Sequence, residues 1–211
     1  TYSTGVSTGE VKYADSFEWD YSGETVIYDA FNSVTSISGD IEFWDVGMIQ
    51  VWDVAKKAIG TGKIEKLFTD LEAGESIGNP SFSKNTQNII AFDYFTEDEP
   101  DTYYQIGVDI VNNDLDAINA NNDIGYPGYS RLDDKILFNT LNGEEQNVSY
   151  IGIDKNKISP VGTVKELFTD ASWAVWYAQG ARAIPTKTDQ TLNFSGISDK
   201  NIGESFNISA R

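Results

Sequence analysis

Tyr129-Ser-Arg-Leu-Asp-Asp-Lys-Ile-Leu-Phe138 runs from an aromatic through a polar turn into an apolar stretch, and the same order recurs twice upstream. The copies are Phe82-Ser-Lys-Asn-Thr-Gln-Asn-Ile-Ile-Ala-Phe92 and Trp19-Asp-Tyr-Ser-Gly-Glu-Thr-Val-Ile-Tyr28, with a degenerate fourth from Trp176 to Pro185. Their starts at 19, 82, 129 and 176 are 63, 47 and 47 residues apart. Two identical intervals mark a repeat architecture, and the first interval carries an insertion.

Each interval holds a second recurring element, an alternating run closing on Asp: Met48 to Asp53, Tyr104 to Asp109 and Val148 to Asp154. A third, Lys66-Leu-Phe-Thr-Asp70, is matched by Glu166-Leu-Phe-Thr-Asp170. The remaining signals are short Val-, Ile-, Tyr- and Thr-rich runs between Gly, Asn and Asp turns, with no convincing amphipathic helix. One unit is therefore four short strands, and the expected fold is all-β: a β-propeller of four-stranded antiparallel blades. About four blades fall within residues 1–211, as one propeller domain or as part of a larger propeller. Residues 1–16 are expected to be the outer strand of a preceding or closing blade. Alternation sends every second side chain between blades, which predicts inward roles for Val26/Tyr28, Ile136/Phe138 and Val148/Tyr150. The anchors Trp19, Phe82, Tyr129 and Trp176 are expected to plug the gaps between blades.

The repeat resembles that of TolB-type β-propellers, whose blades carry an aromatic-Ser-Pro-Asp-Gly-Lys hairpin, an Ile-Ala-Phe strand and a strand closing on Asp. The likeness extends over residues 15–211 and is strongest from Tyr129. Here the Pro-Asp-Gly turn is replaced by Tyr21-Ser22-Gly23, Lys84-Asn85-Thr86, Arg131-Leu132-Asp133 and Ala178-Gln179-Gly180, so no subfamily is assigned. Similar propellers cap peptidases of the prolyl oligopeptidase type. That context makes an accessory propeller domain of a larger hydrolase the alternative reading.

Composition narrows the chemistry. With no His and no Cys, the chain has no Ser/His/Asp or Cys/His apparatus, thiolate, zinc ribbon or disulfide. It has no Gly-x-Ser-x-Gly elbow. The adjacent acids Asp133/Asp134 and Glu144/Glu145 would point apart on a strand or hairpin, so they do not form a glycosidase pair. A net charge of −18, from 33 acids against 15 bases, repels nucleic acid and anionic lipid and attracts basic partners. No apolar run is long enough to span a bilayer as a helix, so no membrane insertion is expected.

Propeller topology sends the second-to-third-strand turns and the inter-blade connections to one face, and the two hairpin turns of each blade to the other. On the expected boundaries, the first set comprises 33–46, 70–78, 96–102, 119–125, 142–147, 170–175 and 186–190, with 15 acids and one base, Lys187. The second set holds 10 bases and 6 acids. Loops on a rigid scaffold are where binding residues concentrate. The candidate binding face is therefore acidic: Asp40, Glu42, Trp44, Asp45, Glu97, Asp98, Glu99, Asp101, Glu144 and Glu145. Trp44 is the tryptophan expected to touch ligand, while Trp52, Trp173 and Trp176 are expected to pack.

Asp53, Asp109 and Asp154 are expected to cap the turns after their strands rather than converge on a metal. No cofactor is expected. The acidic clusters make calcium the one candidate cation, although neither has the spacing of a known calcium loop. The expected role is a non-catalytic binding or scaffold propeller, periplasmic, cell-surface or secreted, that presents its acidic face to a protein, peptide or glycan.

Overall fold

The computed structural model describes residues 13–36, 39–69 and 71–177, and every regular element among them is a strand. The chain divides into two units, Thr1–Ala178 and Gln179–Arg211. Residues 1–12, Asp70, the loops 178–182, 186–190 and 198–202, and most of the fourth repeat copy lie outside the described residues.

Three four-stranded antiparallel sheets follow one another. The first has the order β1 (Phe17–Trp19), β2 (Thr25–Ser36), β3 (Gly39–Gln50) and β6 (Ile64–Lys66), with a separate small hairpin, β4 (Trp52–Asp53) and β5 (Ala58–Ile59), between its third and fourth strands. The second is β7 (Glu75–Phe82), β8 (Ile89–Thr96), β9 (Tyr103–Asp109) and β10 (Asp114–Asn121). The third is β11 (Gly128–Tyr129), β12 (Lys135–Asn142), β13 (Glu145–Ile153) and β14 (Pro160–Phe168). Four antiparallel strands joined in chain order form a propeller blade. Most of the strand expected over residues 1–16 lies outside the described residues, and one other expected boundary moves. The carbonyls of Tyr13 and Ser16 accept the N–H groups of Phe31 (3.0 Å) and Asp29 (3.2 Å), so residues 13–16 run beside β2 as the approach to β1. Of the segment 33–46, expected as an inserted loop, residues 33–36 and 39–46 are instead ladder: β2 and β3 pair from Thr25↔Gln50 to Ser36↔Gly39. The insertion in the first repeat is thus divided between this long hairpin and the β4–β5 hairpin.

The polar turns hold the first strand of each blade to the second. Asp20 Oδ1 accepts the N–H groups of Glu24 and Thr25 at 2.9 Å each, and Ser130 Oγ accepts those of Asp134 (3.2 Å) and Lys135 (3.3 Å). Such short side-chain acceptors at a turn replace backbone partners that the hairpin cannot supply.

Packing follows from the period of two. Along β8, Ile90 and Phe92 join a layer with Ile27, Val46, Ile77, Phe82, Ile106 and Val108, between the first and second blades. Ile89 and Ala91 join the opposite layer with Tyr129, Ile136, Phe138, Ile151, Ile153 and Ile158, between the second and third. The middle blade is apolar on both faces because each face meets a neighbour. The expected pairs shift accordingly: Ile27 rather than Val26/Tyr28 enters the first layer, Ile136/Phe138 enter the second together with Ile151 and Ile153, and of Val148/Tyr150 only Val148 is buried, outside that layer.

The anchors divide by position. Phe82 and Tyr129 are 1% and 0% exposed, whereas Trp19 and Trp176, at either end of the described blades, are 50% and 39% exposed. An anchor is buried where a blade lies on each side of it. Tyr129 also donates its hydroxyl to the Lys157 carbonyl at 2.8 Å. Tyr129→Phe is expected to cost about 1 kcal/mol by leaving that carbonyl without the bond, and Tyr129→Ala about 3–5 kcal/mol by opening a cavity, both measured by urea unfolding. Equal losses for the two variants would show that the ring does not plug the layer.

Candidate functional site

In each blade the second strand passes from an aromatic to a short polar residue: Tyr28-Asp29, Phe92-Asp93 and Phe138-Asn139. The three short polar side chains are buried. Each catches the backbone N–H of a residue three positions before the next anchor: Asn79 N–H donates to Asp29 (3.1 Å), Tyr126 N–H to Asp93 (2.8 Å) and Trp173 N–H to Asn139 (2.9 Å). The donors share a left-handed backbone, with φ of 51°, 50° and 56°. Asn tolerates that conformation, whereas Tyr and Trp enter it only under constraint.

Asp93 accepts four donors: Gln105 Nε2 (2.8 Å) and Gly125 N–H (3.0 Å) on Oδ1, and Asn79 Nδ2 (2.9 Å) and Tyr126 N–H on Oδ2. Burial nevertheless pushes its carboxyl up to about 6, against those hydrogen bonds, because no cation neutralises it. Gly125 permits the close approach, since a Cβ there would lie 2.4 Å from Gln105 Nε2 and 2.8 Å from Asp93 Oδ1. Asn139 does the same work with a neutral amide, and its Nδ2 is buried with no partner among the described residues. The position calls for an acceptor, and the donor half of an amide is left over.

Above Asp29 and Asp93 opens a cleft of about 350 Å³ lined by both blades and by the connection to the third. Asp15, Trp44, Asn79, Phe95, Tyr103 and Tyr126 form its walls. Trp44 stands edge-on to Phe31 with centroids 5.6 Å apart, Phe95 stacks on Tyr103 at 5.3 Å, and Tyr126 meets Trp173 edge-on at 6.0 Å. Burial first, then Asp15, Asp93, Asp123 and Asp29, push the Tyr126 hydroxyl up, which keeps it a neutral phenol.

The candidate residues separate. Trp44 lies on β3 and lines the cleft, while Asp40 and Glu42 are exposed further along the same strand, toward the hairpin tip. Asp45 departs from the expectation of a face residue: it is 3% exposed and ion-paired to Lys66, because alternation turns it away from its exposed neighbours. Glu97, Asp98, Glu99 and Asp101 occupy the β8–β9 turn outside the cleft lining, while Phe95 and Tyr103 at the base of that turn line the cleft with Trp44. Glu144 and Glu145 are exposed at the β12–β13 turn, away from the cleft lining. Sequence reasoning misses Asp15, Asp29, Asp93 and Tyr126; the recurrent aromatic-Asp/Asn step is the signal that points to Asp29 and Asp93.

At the sheet ends carrying the β8–β9 and β12–β13 turns and the inter-blade connections, the described loops hold Glu72, Glu97, Asp98, Glu99, Asp101, Asp123, Glu144 and Asp170, and no base. Hydrogen bonds knit that end together, from Glu97 N–H to the Gly74 carbonyl (2.9 Å) and from Gln146 Nε2 to Asp123 (3.1 Å). The opposite end mixes signs. There Lys84 pairs with Glu18, and Asp133 accepts Ser83 Oγ, the Lys84 and Asn85 N–H groups and Lys157 Nζ. Burial alone would raise the Asp133 carboxyl, but Lys157 and these donors outweigh it and hold it below the usual range. Asp134 turns the other way, to Ser130 Oγ and Lys135, so the two adjacent acids do not act together.

Asp53 and Asp109 cap the turns after them, accepting the N–H groups of Lys56 (2.8 Å) and of Val111 and Asn112 (3.0 and 3.1 Å). Asp154 holds its turn through its main chain, accepting Lys157 N–H at 2.8 Å. Among the described residues no three His, Cys, Asp or Glu are grouped closely enough to hold a metal.

No family model and no curated protein matches the sequence. Solved structures that align with the chain include TolB from Acinetobacter baumannii, at 16% identity and a TM-score of 0.48 over 74% of this chain. Another is the β-propeller domain of the trilobed protease from Pyrococcus furiosus, described as having an open velcro topology, at 12% identity and a TM-score of 0.48 over 75% of this chain. The chain covers 32% and 44% of their respective lengths. The blade assignment rests on the sheet order and registers given above.

Asp93 links stability to pH. Its folded carboxyl keeps a proton that the unfolded chain releases near pH 3.8, so stability is expected to fall as pH rises from about 4 to about 6, and then to level off. The amplitude is about 3 kcal/mol at roughly 1.4 kcal/mol per pH unit. Urea unfolding from pH 4 to 7 should show this component in the wild type and not in Asp93→Asn. The variant should also be less stable by about 1–3 kcal/mol at pH 4, where an amide nitrogen faces donors. In the same cleft, Gly125→Ala is expected to cost about 1–3 kcal/mol through overpacking against Gln105 and Asp93.

Proposed function

We propose that this chain is a non-catalytic binding or scaffold segment of a propeller, and that its acidic loop end receives a basic protein or peptide. The observation that carries the reading is the sorting of charge: the described loops at one end hold acids only, while every described loop Lys or Arg sits at the other. Such an end attracts a cationic partner and sets its orientation on approach. The absence of His and Cys, and the divergence of Asp133 from Asp134, support a role without catalysis. Blades locked by buried hydrogen bonds suit this work, since a rigid support lets surface loops keep one arrangement. The reading includes export to the periplasm or cell surface, in keeping with the TolB-type repeat pattern.

The test is a variant carrying E97Q, D98N, E99Q and D101N together. All four side chains are exposed, so folding should be little changed. Affinity for a lysine-rich peptide, measured by calorimetry between 50 and 300 mM salt, is expected to fall about tenfold at the lowest salt, and its salt dependence to flatten. Unchanged affinity and slope would overturn the reading.

A further inference from the structure

We infer that the cleft formed by Asp15, Trp44, Phe95, Tyr103 and Tyr126 is a receptor for a single arginine side chain carried by the partner. This deepens the acidic-face reading and rests on it.

The cleft joins two features that a guanidinium group uses together. Its walls are aromatic, and rings of this kind attract cations through their π faces. Its floor holds Asp29 and Asp93, 1% and 5% exposed, with exposed Asp15 at the mouth. No Lys or Arg lines the cleft, and none of the ion pairs among the described residues involves these three acids. Buried negative charge without a counter-charge is costly. Holding the blades together does not require it, because the third blade makes the same N–H contact with the neutral Asn139. Charge is thus present at 29 and 93, beneath the cleft, and absent at 139, which does not line it.

The roles of the three carboxylates differ. The oxygens of Asp29 and Asp93 are occupied by N–H donors, so these two act through their fixed field, while burial and the neighbouring Asp29 carboxylate push the exposed Asp15 carboxyl up, so a cation entering the cleft relieves this acid pair at its mouth. The volume, about 350 Å³, is at the low end of small-ligand sites and suits one side chain. A guanidinium fits better than an ammonium because it is planar, stacks on rings and is less strongly hydrated.

The probe is the peptide acetyl-Gly-Arg-Gly-amide, with its neutral citrulline counterpart as control, titrated into ¹⁵N-labelled protein. The arginine peptide is expected to shift the Trp44 indole and the Gly125 and Tyr126 amide resonances saturably, and the citrulline peptide is not. Tyr126→Gly removes a wall at a backbone angle that glycine accepts freely, and Asp15→Asn removes the charge at the mouth; each should weaken binding about tenfold. The fourfold E97Q/D98N/E99Q/D101N variant should bind the arginine peptide within about twofold of wild type, since its residues lie outside the lining. Equal binding of citrulline, or undiminished binding by Tyr126→Gly and Asp15→Asn, would overturn the inference. If the fourfold variant alone loses the arginine peptide, the cleft inference fails and the acidic-face reading stands. If the lysine-rich peptide is indifferent to the fourfold change while the arginine peptide still depends on Asp15 and Tyr126, the face reading fails and the cleft remains.

Discussion

A buried acceptor on the second strand of each described blade holds the N–H of a left-handed residue three positions before the next anchor. Asp29 with Asn79, Asp93 with Tyr126 and Asn139 with Trp173 repeat this contact down the described chain. An apolar layer alone lets neighbouring sheets slide, because hydrophobic burial is non-directional. A short hydrogen bond to a fixed N–H does not. It sets where one blade ends relative to the start of the next, and the anchor three residues later then reaches its layer. The left-handed backbone and its bulky Tyr and Trp persist because this bond and the ring contacts hold them in place.

Around that contact the two faces of each blade divide the work. The middle blade uses both faces of β8 for packing, Ile90 and Phe92 toward one neighbour and Ile89 and Ala91 toward the other. Surface chemistry is thereby confined to the strand ends, where turns are free to vary. At one end the turns carry acids alone. At the other, acids and bases are paired across blades, as in Lys84 with Glu18, or within one, as in Asp133 with Lys157. Charge at the mixed end thus contributes to holding the fold, whereas the acids of the described loops at the opposite end form no ion pair among the described residues.

Much of this architecture was legible in the chain. The 47-residue interval, the polar turns and the alternating runs pointed to four-stranded blades, and the sheets have that order. The errors came where pattern and geometry part. The inserted stretch 33–46 contains Gly39, Asp40 and Asp45, which resemble loop residues, yet cross-strand pairing carries β2 and β3 through it. The facing of Val26 and Tyr28 was displaced by one residue because, in a strand with Ile on the intervening position, composition does not distinguish the two faces. The candidate site was legible only in part. Trp44 and the Glu97–Asp101 turn were visible as an aromatic in an acidic stretch and as a run of acids, but the cleft that takes Trp44 together with Phe95 and Tyr103 from the base of that turn was not. Nor did the donors Asn79, Tyr126 and Trp173 resemble one another, since what they contribute is a backbone N–H.

The sequence by itself determined the class of strand, the number of strands per blade, the spacing of the blades and the surplus of acid over base. These depend on local alternation, turn chemistry and composition, which are written in neighbouring residues. Only the tertiary structure decided which acids are buried, which are paired and which surround a cleft. Asp45, Asp93 and Asp101 are the same residue type, yet the first is buried against Lys66, the second is buried among neutral donors and the third is exposed on a turn. Their roles diverge because burial and the partners that folding brings close, not residue identity, set the free energy of a charge.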